Sequence, residues 1–449
     1  MATQADPLVR SRAQTQLALI VVAVVLSIGA YVMVVMGTTG KTPEGVAGLV
    51  AAMGLSYLGA HLVVRRFAPG ADPTFLPVAA MLCGLGYAMI YRLRPSLAAE
   101  QFTWMLIGIG LFCLTLIVVR DDRTLESYTY TIGLVGVALL LLPIVPHVGE
   151  TINGARLWVS LGPVSFQPSE VSKVLLTIFL ASYLDRRKEL LATATRRVGP
   201  LRVPEPRYFG PLLLAWVLAL GVLFVENDLG SSLLFFGIFV VMLWVATGRG
   251  AYLAAGVVLF AVAATLGYLL IPHVQDRVLI WLHALAPAYV NGTGYQVAQG
   301  QFAMATGGVF GSGLGQGYPW KIPYSWTDFI FAALGEELGL FGVTAVLLLY
   351  VAICARGLRA AIQRTDGFGK LLATGLTTVI ALQTFVIVGG VTRLIPLTGI
   401  TLPFVSYGGS SLVTNFVLLA LLVRVSAPRL GEHLAGRRAR VAASNGGAS

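Results

Sequence analysis

Hydrophobic residues in this chain come in runs, not in alternation. Apolar stretches long enough to cross a bilayer recur at about 17–36, 45–64, 74–91, 102–119, 128–145, 169–184, 209–225, 229–247, 252–271, 329–355, 370–390 and 406–426. A spanning helix needs roughly 20 apolar residues, because the hydrocarbon core is about 30 Å thick and each residue rises 1.5 Å. Backbone in lipid satisfies its own hydrogen bonds, so such runs predict helices. The alternating ten-residue pattern of a membrane barrel is absent. The prediction is an all-α polytopic transmembrane helix bundle of about 12 spans. Between 272 and 328 lies a loop too apolar for disorder, with Trp281, Tyr295, Phe302, Phe310 and Trp320. Loops of that length are uncommon and usually functional. It is expected to fold back on the membrane as re-entrant or amphipathic segments.

Composition agrees: 57% of the chain is hydrophobic and 11% charged, against about 25% charged in a soluble domain. The net charge of +11 is no nucleic-acid signal, because the basic residues sit in short loops between spans. With the N-terminus inside, 23 of the 31 Lys and Arg fall on the inner side and 8 on the outer. That split predicts both termini in the cytoplasm. The inner set includes Arg10, Arg12, Arg65, Arg66, Arg120 and Arg123, the run Arg186 to Arg207, and the tail arginines Arg429 to Arg440. The first apolar run is too long for a cleavable signal peptide and lacks its small-residue cleavage site. Cys83, Cys113 and Cys354 fall inside apolar segments and make neither a disulfide framework nor a CxxC pair. The five histidines show no zinc-type spacing.

Charge inside or beside a span is costly, so each instance raises a functional question. Pro168, Ser169 and Glu170 suit a helix start, and Glu170 and Lys173 share a helix face at i,i+3. They read either as a cap with a local ion pair, or as a cation held for an anionic substrate with Arg156 as its neighbour. Glu226-Asn227-Asp228 is either a polar turn whose Asp228 caps the following span, or part of a site. Glu336 and Glu337, adjacent on a spanning helix, point to different sides, and one of them calls for a buried cation. Asp328 stands where the long outer loop meets the membrane; Thr327 or Asp328 would serve equally as a helix cap. Thr398 to Ser411 is a small-residue turn whose hydroxyl and backbone donors, Ser406 and Ser410 among them, suit either a close ligand or close helix packing.

In this order and spacing the motifs resemble the SEDS family (shape, elongation, division and sporulation), the bacterial group that includes RodA and FtsW. The marks are Asn153-Gly154-Ala155-Arg156, Gln167-Pro168-Ser169-Glu170 with Lys173, Asp228-Leu229-Gly230, Gly294-Tyr295-Gln296, Gly307 to Gly311, Thr327-Asp328-Phe329-Ile330, Gly335 to Gly339, and Pro403 to Ser411. The run Gly389 to Gly399 is nearer to the RodA branch. Two departures stand out: Glu226-Asn227 replaces the family's frequent Gln-Pro, and Leu157 replaces a second Arg.

The resemblance implies residues 1–73 as an N-terminal tail with two added spans, 74–427 as the ten-span SEDS core, and 428–449 as a basic tail. It implies a peptidoglycan glycosyltransferase of the cytoplasmic membrane. Such an enzyme polymerises lipid II on the outer face, serves cell elongation and shape, and works with a class B penicillin-binding protein among membrane lipids. The alternatives are a lipid II flippase and a non-catalytic scaffold for a transpeptidase. Asp328 is the implied catalytic residue. Arg156, Glu170, Lys173, Asp228, Arg277, Ser406 and Ser410 are the candidate substrate-binding residues, with Lys173, Arg156 and Arg277 the outer cations suited to a pyrophosphate. For a divalent cation, Mg or Mn, the candidate oxygen ligands are Asp328, Asp228 and Glu226, which make no recognisable ligand cluster.

Overall fold

The structure is a computed structural model. It describes residues 7–428 except 147, 153–154, 162–163, 193–195, 199–200, 204–209, 211–216, 218–220 and 222–227. All but three positions of the expected span at 209–225, and Asn153, Gly154, Glu226, Asn227 and the tail beyond 428, thus lie outside the described residues.

Fourteen α-helices of five residues or more are described: α1 (Pro7–Thr39), α2 (Val46–Phe67), α3 (Phe75–Leu93), α4 (Ala98–Val118), α5 (Arg123–Ser127), α6 (Thr129–Leu141), α7 (Pro168–Ala192), α8 (Leu229–Thr247), α9 (Gly250–Leu270), α10 (Pro272–His283), α11 (Tyr295–Gly307), α12 (Ile330–Gln363), α13 (Gly367–Val391) and α14 (Gly409–Ser426). The protein is an all-α polytopic membrane bundle. Among the described residues nine helices are long and apolar enough to cross a membrane: α1 to α4, α8, α9 and α12 to α14. Two further expected spans are present as helices with weaker credentials. The apolar helix beginning with α6 is short, running Thr129–Ile144 with its final turn, and the inner half of α7 carries the charged run Asp185 to Glu189.

Packing sets the layers. Helices α3, α13 and α14 are the most enclosed, and α9 the least. Close approach is made by small residues: a Cβ on Gly84 of α3 would lie 1.9 Å from the Ser27 hydroxyl of α1. Asp228 caps α8 by accepting from Ser231 N at 2.9 Å, and Gly248 ends it in the left-handed conformation.

Strand structure was not expected. Residues 149–166 form an antiparallel sheet of β1 (Gly149–Ile152), β2 (Ala155–Leu161) and β3 (Val164–Phe166), with Glu150 opposite Trp158 and Val159 opposite Phe166. Alternation too short to stand out between long apolar runs becomes a sheet once its ends are fixed by α6 and α7. A second pair, β4 (Arg196–Val198) and β5 (Leu201–Val203), follows α7.

Residues 272–328 fold into short helices, α10 and α11, and then into an insertion. Helix α12 is interrupted at Gly339, where φ is 65° and ψ −172°. The loop after α11 takes up the broken hydrogen bonds. Ser312 N and Gly313 N donate to the carbonyls of Glu336 and Glu337 at 2.9 and 3.0 Å, and Leu340 N and Phe341 N donate to the carbonyls of Gly308 and Val309 at 2.9 and 3.0 Å. A helix broken in a low-dielectric environment leaves donors and acceptors that need partners, and this loop provides them.

That insertion corrects the reading of Glu336 and Glu337. They do not face different surroundings; the loop wraps around both. Glu337 accepts from Gly315 N at 2.9 Å and pairs with Arg92 at 3.1 Å, while Glu336 accepts from Tyr318 N at 2.7 Å. The expected buried cation is Arg92, which also donates to the carbonyls of Gly315 and Gly317 and lies over the Trp320 ring.

Candidate active site under the last outer loop

The elements that carry most of the candidate residues converge on the segment between α13 and α14, residues 392–408. Four elements meet it. From α7, buried Lys173 donates to Glu170 at 2.6 Å and to Gln383 Oε1 at 2.8 Å; the Gln383 amide then donates to Thr401 O at 2.9 Å. From α8, Gly230 lies so close that a Cβ would stand 2.4 Å from Ile400 and 3.0 Å from Thr398 O. From α10, Arg277 donates to Leu397 O at 3.0 Å. From the approach to α12, Trp326 O accepts from Tyr407 N at 2.9 Å, and Thr327 O accepts from the Ser406 hydroxyl at 2.6 Å.

Asp328 lies at this junction, half-buried. It accepts from the Thr327 hydroxyl at 3.0 Å. Backbone N–H groups of Asp328 and Phe329 also turn to its carboxylate, and Phe329 itself holds the cap position of α12 without a side-chain cap. Loss of solvent pushes its carboxyl up to about 6, against the opposing pull of Thr327 and of the nearby Arg277 charge. Arg277 is in turn pulled down by burial and held up by Asp328. The two are an electrostatic pair spanning the long loop from its start to its end, and Arg277 ties that loop to the last one through Leu397 O.

Asp228 is buried and its second oxygen has no hydrogen-bond partner among the described residues. Burial raises its pKa, and Glu170 pushes in the same direction. The α7 ion pair and the α8 cap therefore share one polar region. A buried ion pair survives desolvation only with further hydrogen bonds, and Gln383 supplies one to Lys173. Gln383 was missed in the sequence, where a lone amide inside span 370–390 was the available signal. Arg92 was missed as well, masked by its position at a span end.

The remaining candidates divide. Ser406 also accepts from Leu402 N at 2.9 Å, and Ser410 accepts from Gln167 N at 3.0 Å, so both hydroxyls are engaged in holding the loop to its neighbours. Arg156, on β2, donates to Val145 O at 3.1 Å, which ties the sheet to the end of α6 and not to the 392–408 segment. Among the described residues no three His, Cys, Asp or Glu side chains converge as a metal cage. Asp328 stands beside the cation Arg277 and Asp228 beside Glu170, and Glu226, the third candidate ligand, lies outside the described residues.

Fold and site together define a polytopic membrane protein in which Lys173, Asp228, Arg277 and Asp328 are borne by elements that meet around residues 392–408. Residues 77–430 match the cell cycle protein family that groups FtsW, RodA and SpoVE, and the chain belongs to that family. It is 44% identical over 435 residues to the peptidoglycan glycosyltransferase RodA of Mycobacterium bovis, covering 94% of this chain and 92% of that one. It is 42% identical over 442 residues to the RodA of Mycobacterium leprae, covering 95% and 94%. The stage V sporulation protein E of Bacillus subtilis is 33% identical, covering 79% and 96%. The fold is similar to a chain of a peptidoglycan synthase complex solved to describe coordination of polymerization and crosslinking (TM-score 0.64, 28% identity, 79% and 97% covered). It is also similar to the rod shape determining protein RodA of Thermus thermophilus (TM-score 0.57, 26% identity, 79% and 96% covered).

Proposed function

We infer that this chain is a peptidoglycan glycosyltransferase of the cytoplasmic membrane that polymerises lipid II during cell elongation. The observation that carries the chemistry is Asp328: a half-buried carboxylate with a pKa raised to about 6, beside the cation Arg277, where two outer loops meet. A general base works best with a pKa near the working pH.

The sugar 4-hydroxyl of one lipid II attacks the anomeric carbon of the growing chain. The new bond is the β-glycosidic C–O bond, and the bond broken is the α-linked C–O bond to undecaprenyl pyrophosphate, so the displacement inverts. Asp328 takes the hydroxyl proton. The pyrophosphate leaves as a stable anion and needs no acid, only positive charge close by. Arg277 is the half-buried cation that meets it. Lys173 adds its field from below, where Glu170 and Gln383 fix its position. Asp228 sets the start of α8 against the same loop. Arg156 has its guanidinium on the outer sheet, where it meets the pyrophosphate of an incoming lipid before the reaction centre does.

The outer placement of this centre follows from the distribution of basic residues, which sets both termini in the cytoplasm. The partner is a class B penicillin-binding protein that crosslinks the strands, in keeping with the related chain from a synthase complex. The test supplies purified protein with lipid II on an accessible face and reads glycan chains by gel. Chains establish the polymerase. Lipid II that moves between leaflets without being joined sinks it in favour of a flippase.

A further inference from the structure

Outside the family match, which begins at residue 77, helices α1 and α2 build a cavity with no part in the site above. It measures about 850 Å³ and lies between the start of α1, the end of α2 and the turn from Ala68 to Pro73. Arg10, Arg12 and Arg65 line it, and among the described residues no carboxylate does. All three arginines are exposed. Arg12 donates to Gly70 O and fixes one guanidinium against the turn; Arg10 and Arg65 make no ion pair among the described residues.

The floor of the cavity has a second polar feature. Gln16 lines it and is 3% exposed. Its Oε1 lies 2.7 Å from Nδ1 of buried His61, so a hydrogen-bonded pair of polar side chains joins α1 to α2 at the floor. Three guanidinium groups above a polar floor, with no acid among the described lining residues, make a receptor for an anion with several oxygens. Guanidinium forks match phosphate geometry in particular.

We propose that this cavity binds the phosphate-bearing head group of an anionic lipid, in the leaflet on the face assigned to the cytoplasm. A lipid is favoured over a soluble phosphate by what lies next along the same helices. Gln16 stands one turn past Arg12, and from there α1 and α2 continue into the membrane with exposed Leu17, Leu58 and Leu62. Acyl chains have apolar surface to lie on there, which a soluble ligand would not use. The two added helices thus hold the core to acidic lipid, a role independent of the polymerase reading except for the side of the membrane.

The experiment uses the full-length protein in neutral detergent and native mass spectrometry to titrate phosphatidylglycerol against phosphatidylcholine. Wild type is expected to retain one phosphatidylglycerol in preference. Each basic residue at a membrane surface contributes about fivefold to such binding, so the Arg10→Gln, Arg12→Gln, Arg65→Gln triple variant should weaken it on the order of 100-fold. A control triple, Arg120→Gln, Arg123→Gln and Arg249→Gln, removes the same charge elsewhere on that face and should leave the preference intact. Equal losses in both triples mean diffuse surface charge and overturn the site. Wild type without preference overturns it too. Displacement of the lipid by an equal concentration of glycerol phosphate overturns the lipid assignment in favour of a soluble ligand.

Discussion

Asp328 is where the chemistry of a single residue decides most. Asn keeps its shape and its capping ability, so Asp328→Asn is expected to fold normally and to lose about 10²–10⁴ in lipid II polymerisation, the usual cost of a missing base. The pH profile should report the same group: with its pKa raised from 3.8 to about 6, the rate should fall as pH drops through about 6, where the base becomes protonated. Stability runs the other way. A carboxylate whose folded pKa is raised favours the folded state at low pH, and that contribution is lost as pH rises through about 6. Asp328→Asn should therefore be at least as stable as wild type at pH 8, by thermal unfolding in detergent. Arg277 holds the Asp328 pKa down, so Arg277→Gln should move the midpoint of the pH–rate profile upward. An unmoved midpoint would mean that the titrating group lies elsewhere. Lys173 gives a stability test at the same scale. Removing one partner of a buried pair leaves the other charge uncompensated, which typically costs about 3–5 kcal/mol. Lys173→Ala should lose that order of stability, whereas an exposed pair would cost about 0–1 kcal/mol.

At the scale of an element, the break in α12 is the least expected feature and the most constrained. Gly339 occupies a region of backbone space that is essentially restricted to glycine. A Cβ there would stand 2.2 Å from Gly311 N, within the inserted loop. Gly339→Ala therefore meets backbone strain of about 1–3 kcal/mol and a clash that displaces residues 308–317. It is expected to lower the thermal midpoint sharply and to expose the loop to protease. A variant that resists protease as wild type does would show that the loop is held by Arg92 and Glu337 alone. This break was not legible in the sequence, although the motif Gly335 to Gly339 was. One glycine in a long apolar run is compatible with a straight helix. The interruption depends on a loop from elsewhere arriving to take the freed hydrogen bonds. Helix α1 shows the converse: its apolar run predicts a span over 17–36, and the helix continues to Pro7 and Thr39 because its N-terminal polar turns lie outside the lipid and still pair their backbone.

For the whole molecule, the arrangement predicts sidedness. In a cysteine-free background, a cysteine at exposed Thr293 should react with a membrane-impermeant thiol reagent added outside, and one at exposed Thr365, between α12 and α13, should not. The reverse pattern would place the Asp328 centre on the cytoplasmic side and remove it from any outer-face reaction.

Length and apolarity determined the helical bundle by themselves, because lipid permits few backbone solutions and each span is recognisable alone. The charged residues near outer span ends were legible for a similar reason: their cost in a membrane makes them conspicuous. Their grouping was not. Lys173 and Gln383 lie 210 positions apart, and Ser406 and Thr327 lie 79 apart. No periodicity connects such pairs; only the packing of α7, α8, α10 and α12 around residues 392–408 does. Tertiary structure also decided how each carboxylate is engaged. Glu337 is committed to Arg92 and Gly315 and Glu170 to Lys173, whereas Asp328 is held by the Thr327 hydroxyl and by backbone N–H groups, in the field of Arg277. Desolvation and partner geometry separate these groups, and both belong to the folded chain.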